Sequence, residues 1–111
     1  MLSNVQRKQL RAIGHGLNPV VMVADKGLSE SVMAEMERAL SDHELIKVRL
    51  RAPKEQRSEW QTQISELTGA QVVQSIGQIL LLYRKNPNAD PQKSNLQLVQ
   101  TNTVYLYRLM G

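Results

Sequence analysis

The chain has 111 residues, no cysteine and a formal net charge of +4. A domain of this length can bury a core without disulfides or metal, and the lack of cysteine excludes a disulfide scaffold, a thiol nucleophile and a thiolate metal site. Because no apolar run approaches the roughly 20 residues that span a bilayer and no signal-peptide core begins the sequence, we expect a soluble cytoplasmic protein, and a monomer.

The start of the chain predicts a helix followed by a strand. A capping box of Ser3 and Gln6 is expected to begin a helix over residues 4–13, which Gly14 ends. Residues 20–23 are continuously apolar. Such a run is typical of a strand that is covered on both faces or lies in a parallel sheet.

A second helix and a second strand are predicted next. Ser29 is expected to cap a helix over residues 30–42. Residues 45–51 alternate between apolar and basic side chains, and a period of two is typical of a strand with one buried and one exposed face. The apolar side chains are Ile46, Val48 and Leu50, and the basic ones are Lys47, Arg49 and Arg51.

A third helix and a hairpin complete the predicted elements. Pro53 suits the first position of a helix that Gly69 ends. Residues 71–76 and 79–84 are apolar enough for two strands, and Gly77 begins the two-residue turn between them. The buried stripe of the third helix is predicted to consist of Trp60, Ile64 and Leu67.

This order of elements, α-β-α-β-α-β-β, predicts an α/β fold of the α+β two-layer kind, with a mixed four-stranded sheet against helices. The proline and asparagine residues of 86–95 indicate a linker, so we expect a domain over residues 1–85 and a linker and tail over residues 86–111. Residues 104–107 have the composition of a strand, and both a loose tail and an added edge strand remain open.

Two basic features could bind a polyanion. In the loop 24–28, Gly27 tolerates positive φ, and Lys26 with the following helix start could hold a phosphate. An ordinary strand-to-helix turn explains the same loop. Lys47, Arg49 and Arg51 recur every ~6.5–7 Å along the second strand, similar to successive phosphates of one strand of nucleic acid. A solvated sheet face is the alternative there.

The charges are also segregated along the chain. Residues 30–44 contain five acidic side chains and one arginine, which leaves thirteen lysines and arginines against five acidic residues elsewhere. Such a distribution favours oriented attraction of a polyanion over uniform stickiness, so a nucleic acid is the first partner to test.

Base stacking and catalysis find little support in the sequence. The chain has no phenylalanine, Trp60 is expected in the core, and Tyr83 alone is an unconvincing platform, so backbone and shape readout is expected. His15 and His43 lie in different segments without a nucleophile or paired carboxylates. We therefore expect that the protein is not an enzyme and that it binds no cofactor, no metal and no small-molecule substrate.

Four segments resemble the CRM domain family (chloroplast RNA splicing and ribosome maturation), in its stand-alone bacterial, YhbY-like form. They are residues 15–21, 26–30, 43–48 and 76–84, and the resemblance covers residues 3 to 85. It implies a fold similar to the C-terminal domain of translation initiation factor three. It also implies a non-enzymatic RNA-binding module that associates with ribosomal RNA or precursors of the large ribosomal subunit.

The family's hallmark is a G-x-x-G loop like that of KH domains, joined to a basic surface. Lys26 and Gly27 match this motif, whereas Ala24 stands at the first glycine position. The candidate RNA-binding residues are Ala24, Asp25, Lys26, Gly27, Leu28, Lys47, Arg49, Arg51, Lys54, Arg57, Arg7, Lys8, Arg11 and Arg84.

The leading hypothesis is thus binding of structured ribosomal RNA, in the assembly of ribosomes. The alternative from another class is a protein-interaction adaptor on ribosomal particles, which docks a basic ribosomal protein through the acidic helix 30–44. An enzyme that uses one of the two histidines is the third.

Overall fold

The computed structural model describes residues 2–96. In that part of the chain, three helices and four strands follow the predicted order, and the α+β class is confirmed. The segment 104–107 lies outside the described residues. The elements are α1 (Asn4–Gly14), β1 (Pro19–Val23), α2 (Glu30–His43), β2 (Leu45–Leu50), α3 (Lys54–Thr68), β3 (Gln71–Ile76) and β4 (Ile79–Tyr83).

The strands form one mixed sheet in the order β1-β2-β4-β3. β1 pairs parallel with β2 because α2 connects them as a crossover, and β4 pairs antiparallel with both β2 and β3. The β3–β4 turn begins at Gly77, which has a φ of +55°. Within the described residues, β1 and β3 are therefore the edge strands.

One face of the sheet is covered by α2 and α3 and holds the larger core. The predicted alternation of β2 is confirmed, because Ile46, Val48 and Leu50 face this core. Leu67 was expected there, but it is 66% exposed and Thr68 is buried instead. Thr68 continues the four-residue spacing from Ile64, and its hydroxyl donates to the Ile64 carbonyl at 2.7 Å, so its burial leaves no unpaired hydroxyl.

The first helix lies on the opposite face. The capping box is confirmed, with Gln6 N–H donating to Ser3 Oγ at 3.1 Å. Leu10 packs into a second, smaller core. Gly14, expected to end the helix, is its last residue but is needed for packing: a Cβ there would lie 2.7 Å from Leu81 Cδ2. The second core consists of Leu10, Leu45, Val73, Leu81, Tyr83 and Leu96.

This second face is only partly covered. The expectation that residues 20–23 are covered on both faces is wrong, since Val20 is 46% and Met22 is 50% exposed. The other expectation for this run, a parallel sheet, is confirmed by its pairing with β2. The reason is geometric: the core beneath α1 is built on β2, β3 and β4, through Leu45, Val73 and Leu81, and includes no residue of β1.

Residues 86–96 pack beside the start of β2. The carboxylate of the fully buried Glu44 accepts hydrogen bonds from Asn86 N–H and from Ser94 Oγ, both at 2.8 Å. The Asn95 side chain donates to the Leu45 carbonyl at 2.6 Å. The residues interpreted as a linker are thus held on the domain as far as Leu96, and the division at residue 85 stays a prediction.

Candidate nucleic-acid interface

The loop 24–28 stands at the edge of the sheet where β1 ends. The Gly27 N–H donates to the Ala24 carbonyl at 2.8 Å and closes a turn, with Gly27 at a φ of +63°. A Cβ on Gly27 would lie 3.8 Å from the Trp60 ring, which is an ordinary contact. Glycine is therefore favoured at this position by the backbone dihedral and not by lack of space.

Ala24 does not need the dihedral freedom of glycine. Among residues 2–96, Glu44 is the one non-glycine residue with a positive φ, so Ala24 has an ordinary negative φ. The departure from the G-x-x-G pattern at this position is therefore compatible with the observed loop. Lys26 and Asp25 are both exposed at its tip, so the loop presents one cation beside one carboxylate.

The strand register brings Arg51 beside this loop. β1 and β2 run parallel with Val23 opposite Leu50, and the Arg51 N–H donates to the Val23 carbonyl at 2.8 Å. The two strands thus end at the same edge, where α2 and α3 begin. Lys54 is the exposed first residue of α3. The loop, Arg51 and Lys54 therefore share an edge with two helix N-termini, which carry partial positive charge.

Lys47 and Arg49 lie on the face of the sheet that α1 partly covers. Arg49 is exposed and Lys47 is half-buried. On α1 itself, which lies on the same face, Lys8 and Arg11 are exposed. Arg7 is held instead by the irregular part of β3, where its Nη1 donates to the Val72 carbonyl at 2.6 Å.

Two further candidate arginines are engaged within the fold. Arg57 Nη1 donates to the Ala52 carbonyl at 2.8 Å and fixes the connection that precedes α3. Arg84 follows β4 at the other end of the sheet and forms an ion pair with Glu37 at 2.9 Å. Its guanidinium also donates to Thr68 and Ser41. We therefore leave Arg84 out of the candidate interface.

Most of the acidic residues lie on the two helices that cover the other face of the sheet, although Asp25, Glu30 and Glu55 stand near the edge that the loop shares with the helix starts. Seven of the ten acidic residues of the chain are on α2 and α3. By contrast, α1 and the four strands of the described part contain no acidic residue. The sheet therefore separates an acidic helical layer from a basic face, a polarity that orients a polyanion towards α1 and the exposed strand residues.

Over residues 2–96, no three histidine or acidic side chains are grouped so as to hold a metal ion. The helices described there are too short or too polar to cross a membrane. His15 follows α1, whereas His43 ends α2 with its Nδ1 2.6 Å from the Lys93 carbonyl.

The chain is similar over most of its length to a known domain family and to proteins named as RNA-binding. Residues 2–84 match the model of the CRS1 / YhbY (CRM) domain family. The chain is 47% identical over 96 residues to a probable RNA-binding protein of Pseudomonas aeruginosa, covering 86% of this chain and 92% of that protein. It is 46% identical over 92 residues to an RNA-binding protein of Haemophilus influenzae, covering 82% of this chain and 93% of that protein.

A solved structure shares the fold. It is the solution structure of a Staphylococcus aureus protein proposed to bind RNA, with a TM-score of 0.70 and 27% sequence identity. The match covers 81% of this chain and 95% of that chain.

Proposed function

Because the chain belongs to the CRS1 / YhbY (CRM) domain family, we propose that it binds structured ribosomal RNA or large-subunit precursors during ribosome assembly. The observation that supports this function most is the edge where the loop 24–28, Arg51 and the starts of α2 and α3 meet. That edge continues into the face of the sheet that α1 partly covers. We call it the acid-free face, because α1 and the described strands carry no acidic residue. We further propose that the protein is a cytoplasmic monomer that binds RNA without catalysing a reaction and without a cofactor.

Two properties of the site contribute to the proposed binding: the positive charge of its side chains and the conformation of the loop 24–28. Lys26 supplies the charge of the loop, whereas the Gly27 N–H is already bonded to Ala24 and so fixes the turn. Arg51 and Lys54 neutralise phosphates at the edge, and Arg49 continues the path onto the sheet. Further contacts are proposed for Asp25 and Leu28 in the loop, Lys47 on β2, and the exposed Lys8 and Arg11 of α1. Arg7 and Arg57 already donate to backbone carbonyls, so they contribute only positive electrostatic potential.

We expect Gly27→Ala to lower RNA affinity about five- to tenfold, because the free loop of the variant relaxes away from the left-handed φ and binding must restore it at a cost of about 1 kcal/mol. Gly69→Ala is the matched control. Gly69 has a φ of +73° and nothing within 4 Å of its missing Cβ, but it lies at the end of α3. Titration of ribosomal RNA with each variant tests the loop, and an equal loss of affinity in both variants would count against it.

The proposed partner is tested by crosslinking the protein to RNA in cells and sequencing the bound fragments. We expect the fragments to come from large-subunit ribosomal RNA and its precursors. Fragments spread over messenger and transfer RNA would contradict the ribosomal assignment. Failure of the purified protein to bind protein-free ribosomal RNA in moderate salt, with retention on particles that contain ribosomal proteins, would favour the adaptor function of α2 instead.

A further inference from the structure

A row of four side chains crosses the sheet on the face that α1 leaves open. The strand register aligns Met22 of β1 with Arg49 of β2, Arg49 with Ile79 of β4, and Ile79 with Ile76 of β3. Met22 is 50% and Ile76 is 64% exposed. Three strand spacings make this row about 14 Å wide. We call these four residues the open row.

The open row lies beside the proposed RNA-binding edge. Met22 precedes Val23, whose carbonyl accepts the hydrogen bond from Arg51, and the loop 24–28 follows at once. Towards α1, the row borders a groove of about 220 Å³. The groove is lined by His15, Lys47, Gln74, Ile76, Ile79 and Leu81.

The chemistry of the open row fits a nucleobase. Its apolar side chains flank a guanidinium; unpaired bases stack on arginine planes, and bases taken out of a duplex also pack between apolar side chains. An apolar protein segment would bury the charge of Arg49 without a partner, because the described strands carry no acidic residue. An RNA strand supplies both an apolar base and a negative phosphate.

We propose that the open row receives unpaired bases of the RNA that the neighbouring edge holds by its phosphates. This inference rests on the proposed function and adds to it a preference for unpaired segments within structured RNA, such as loops and junctions. Paired bases are enclosed in a duplex and cannot lie on a sheet face. Met22 and Ile76 contact the bases, and Arg49 stacks on one of them.

The test uses the double change Met22→Ser and Ile76→Ser in the full chain. The probes are a labelled single-stranded RNA of about 12 nucleotides and the same strand annealed to its complement. We expect the double variant to lose about tenfold in affinity for the single strand, with an unchanged slope of log affinity against log salt because no charge is removed. Affinity for the duplex should not change.

Leu67→Ser is the matched control, since Leu67 is 66% exposed on α3 and lies on the other face of the sheet. It should bind both probes as the unchanged protein does. Arg49→Lys keeps the charge and removes the planar group, so it should also weaken binding of the single strand without changing the salt slope. Because these side chains are exposed, thermal unfolding of all variants should stay close to that of the unchanged protein.

Three outcomes would overturn the inference. The double variant binds the single strand as well as the unchanged protein does, it loses the duplex and the single strand equally, or it loses only binding to ribosomal proteins. If the unchanged protein binds protein-free ribosomal RNA but not the single strand, the open row alone fails, whereas failure to bind ribosomal RNA as well means that the proposed function itself fails.

Discussion

Replacing Lys47, Arg49 and Arg51 together by alanine should weaken RNA binding about 100-fold at ~0.1 M salt, and should reduce the slope of log affinity against log salt by about 2–3. Each cation that neutralises a phosphate releases bound counterions, so removal of three contacts changes both quantities together. Lys47 and Arg49 lie on the acid-free face, and Arg51 lies beside the loop 24–28. Affinity measured over a range of salt concentrations gives both values.

A second triple variant separates position from net charge. Arg38, Lys85 and Lys93 are exposed and lie outside the proposed interface, and their replacement by alanine removes the same charge. We expect this control to keep most of the affinity and most of the salt slope. If the two triple variants lose affinity equally, or if the first one keeps both affinity and slope, the basic sheet face is not the binding surface.

Glu44→Ala should lower the free energy of unfolding by about 2–3 kcal/mol. The change leaves the Asn86 N–H and the Ser94 hydroxyl without the carboxylate that accepts both hydrogen bonds, in a place that is fully buried. Urea unfolding measures the loss. Glu35→Ala is the control, because Glu35 is an exposed residue of α2 and its loss should change stability by less than about 0.5 kcal/mol.

The same variant should release residues 86–96 from the domain. We expect a protease to cleave this segment faster in Glu44→Ala than in Glu35→Ala, while the elements from α1 to β4 stay resistant. Equal stability of the two variants, or equal protection of residues 86–96, would show that Glu44 does not hold this segment in place.

The order of elements was predictable because it depends on local patterns. The capping box at Ser3, the alternation of β2 and the turn at Gly77 each involve residues close in sequence, and all three recur in the structure. The family resemblance then indicated the fold class correctly. A local sequence pattern shows where an element begins and ends and which of its sides is apolar. For these elements, that information was sufficient to predict their type and order.

The arrangement of the layers was not predictable in the same way. An apolar stripe on α1 does not tell which face of the sheet it packs against, so the cover over Leu45 and the exposure of Met22 both required the structure. The fully buried Glu44 was likewise hidden, because the residues that satisfy its carboxylate follow it by more than 40 positions. Its contacts turn an apparent linker into a packed segment.

The candidate site was predictable in part. The sequence singled out basic side chains and a glycine-bearing loop, but it could not show that Arg7 and Arg57 donate to backbone carbonyl groups or that Arg84 forms an ion pair with Glu37. The open row was missed because its members lie on four strands. The one signal in the sequence was the apolar Met22 in a strand that proved to be at an edge.

The most direct test of the proposed interface is ultraviolet crosslinking of the purified protein to protein-free ribosomal RNA, with identification of the crosslinked peptides by mass spectrometry. We predict crosslinks in the loop 24–28, in β2 and at the start of α3, and a loss of these crosslinks in the triple variant of Lys47, Arg49 and Arg51. Crosslinks confined to α2 or to residues 86–96 would contradict an RNA interface on the acid-free face of the sheet.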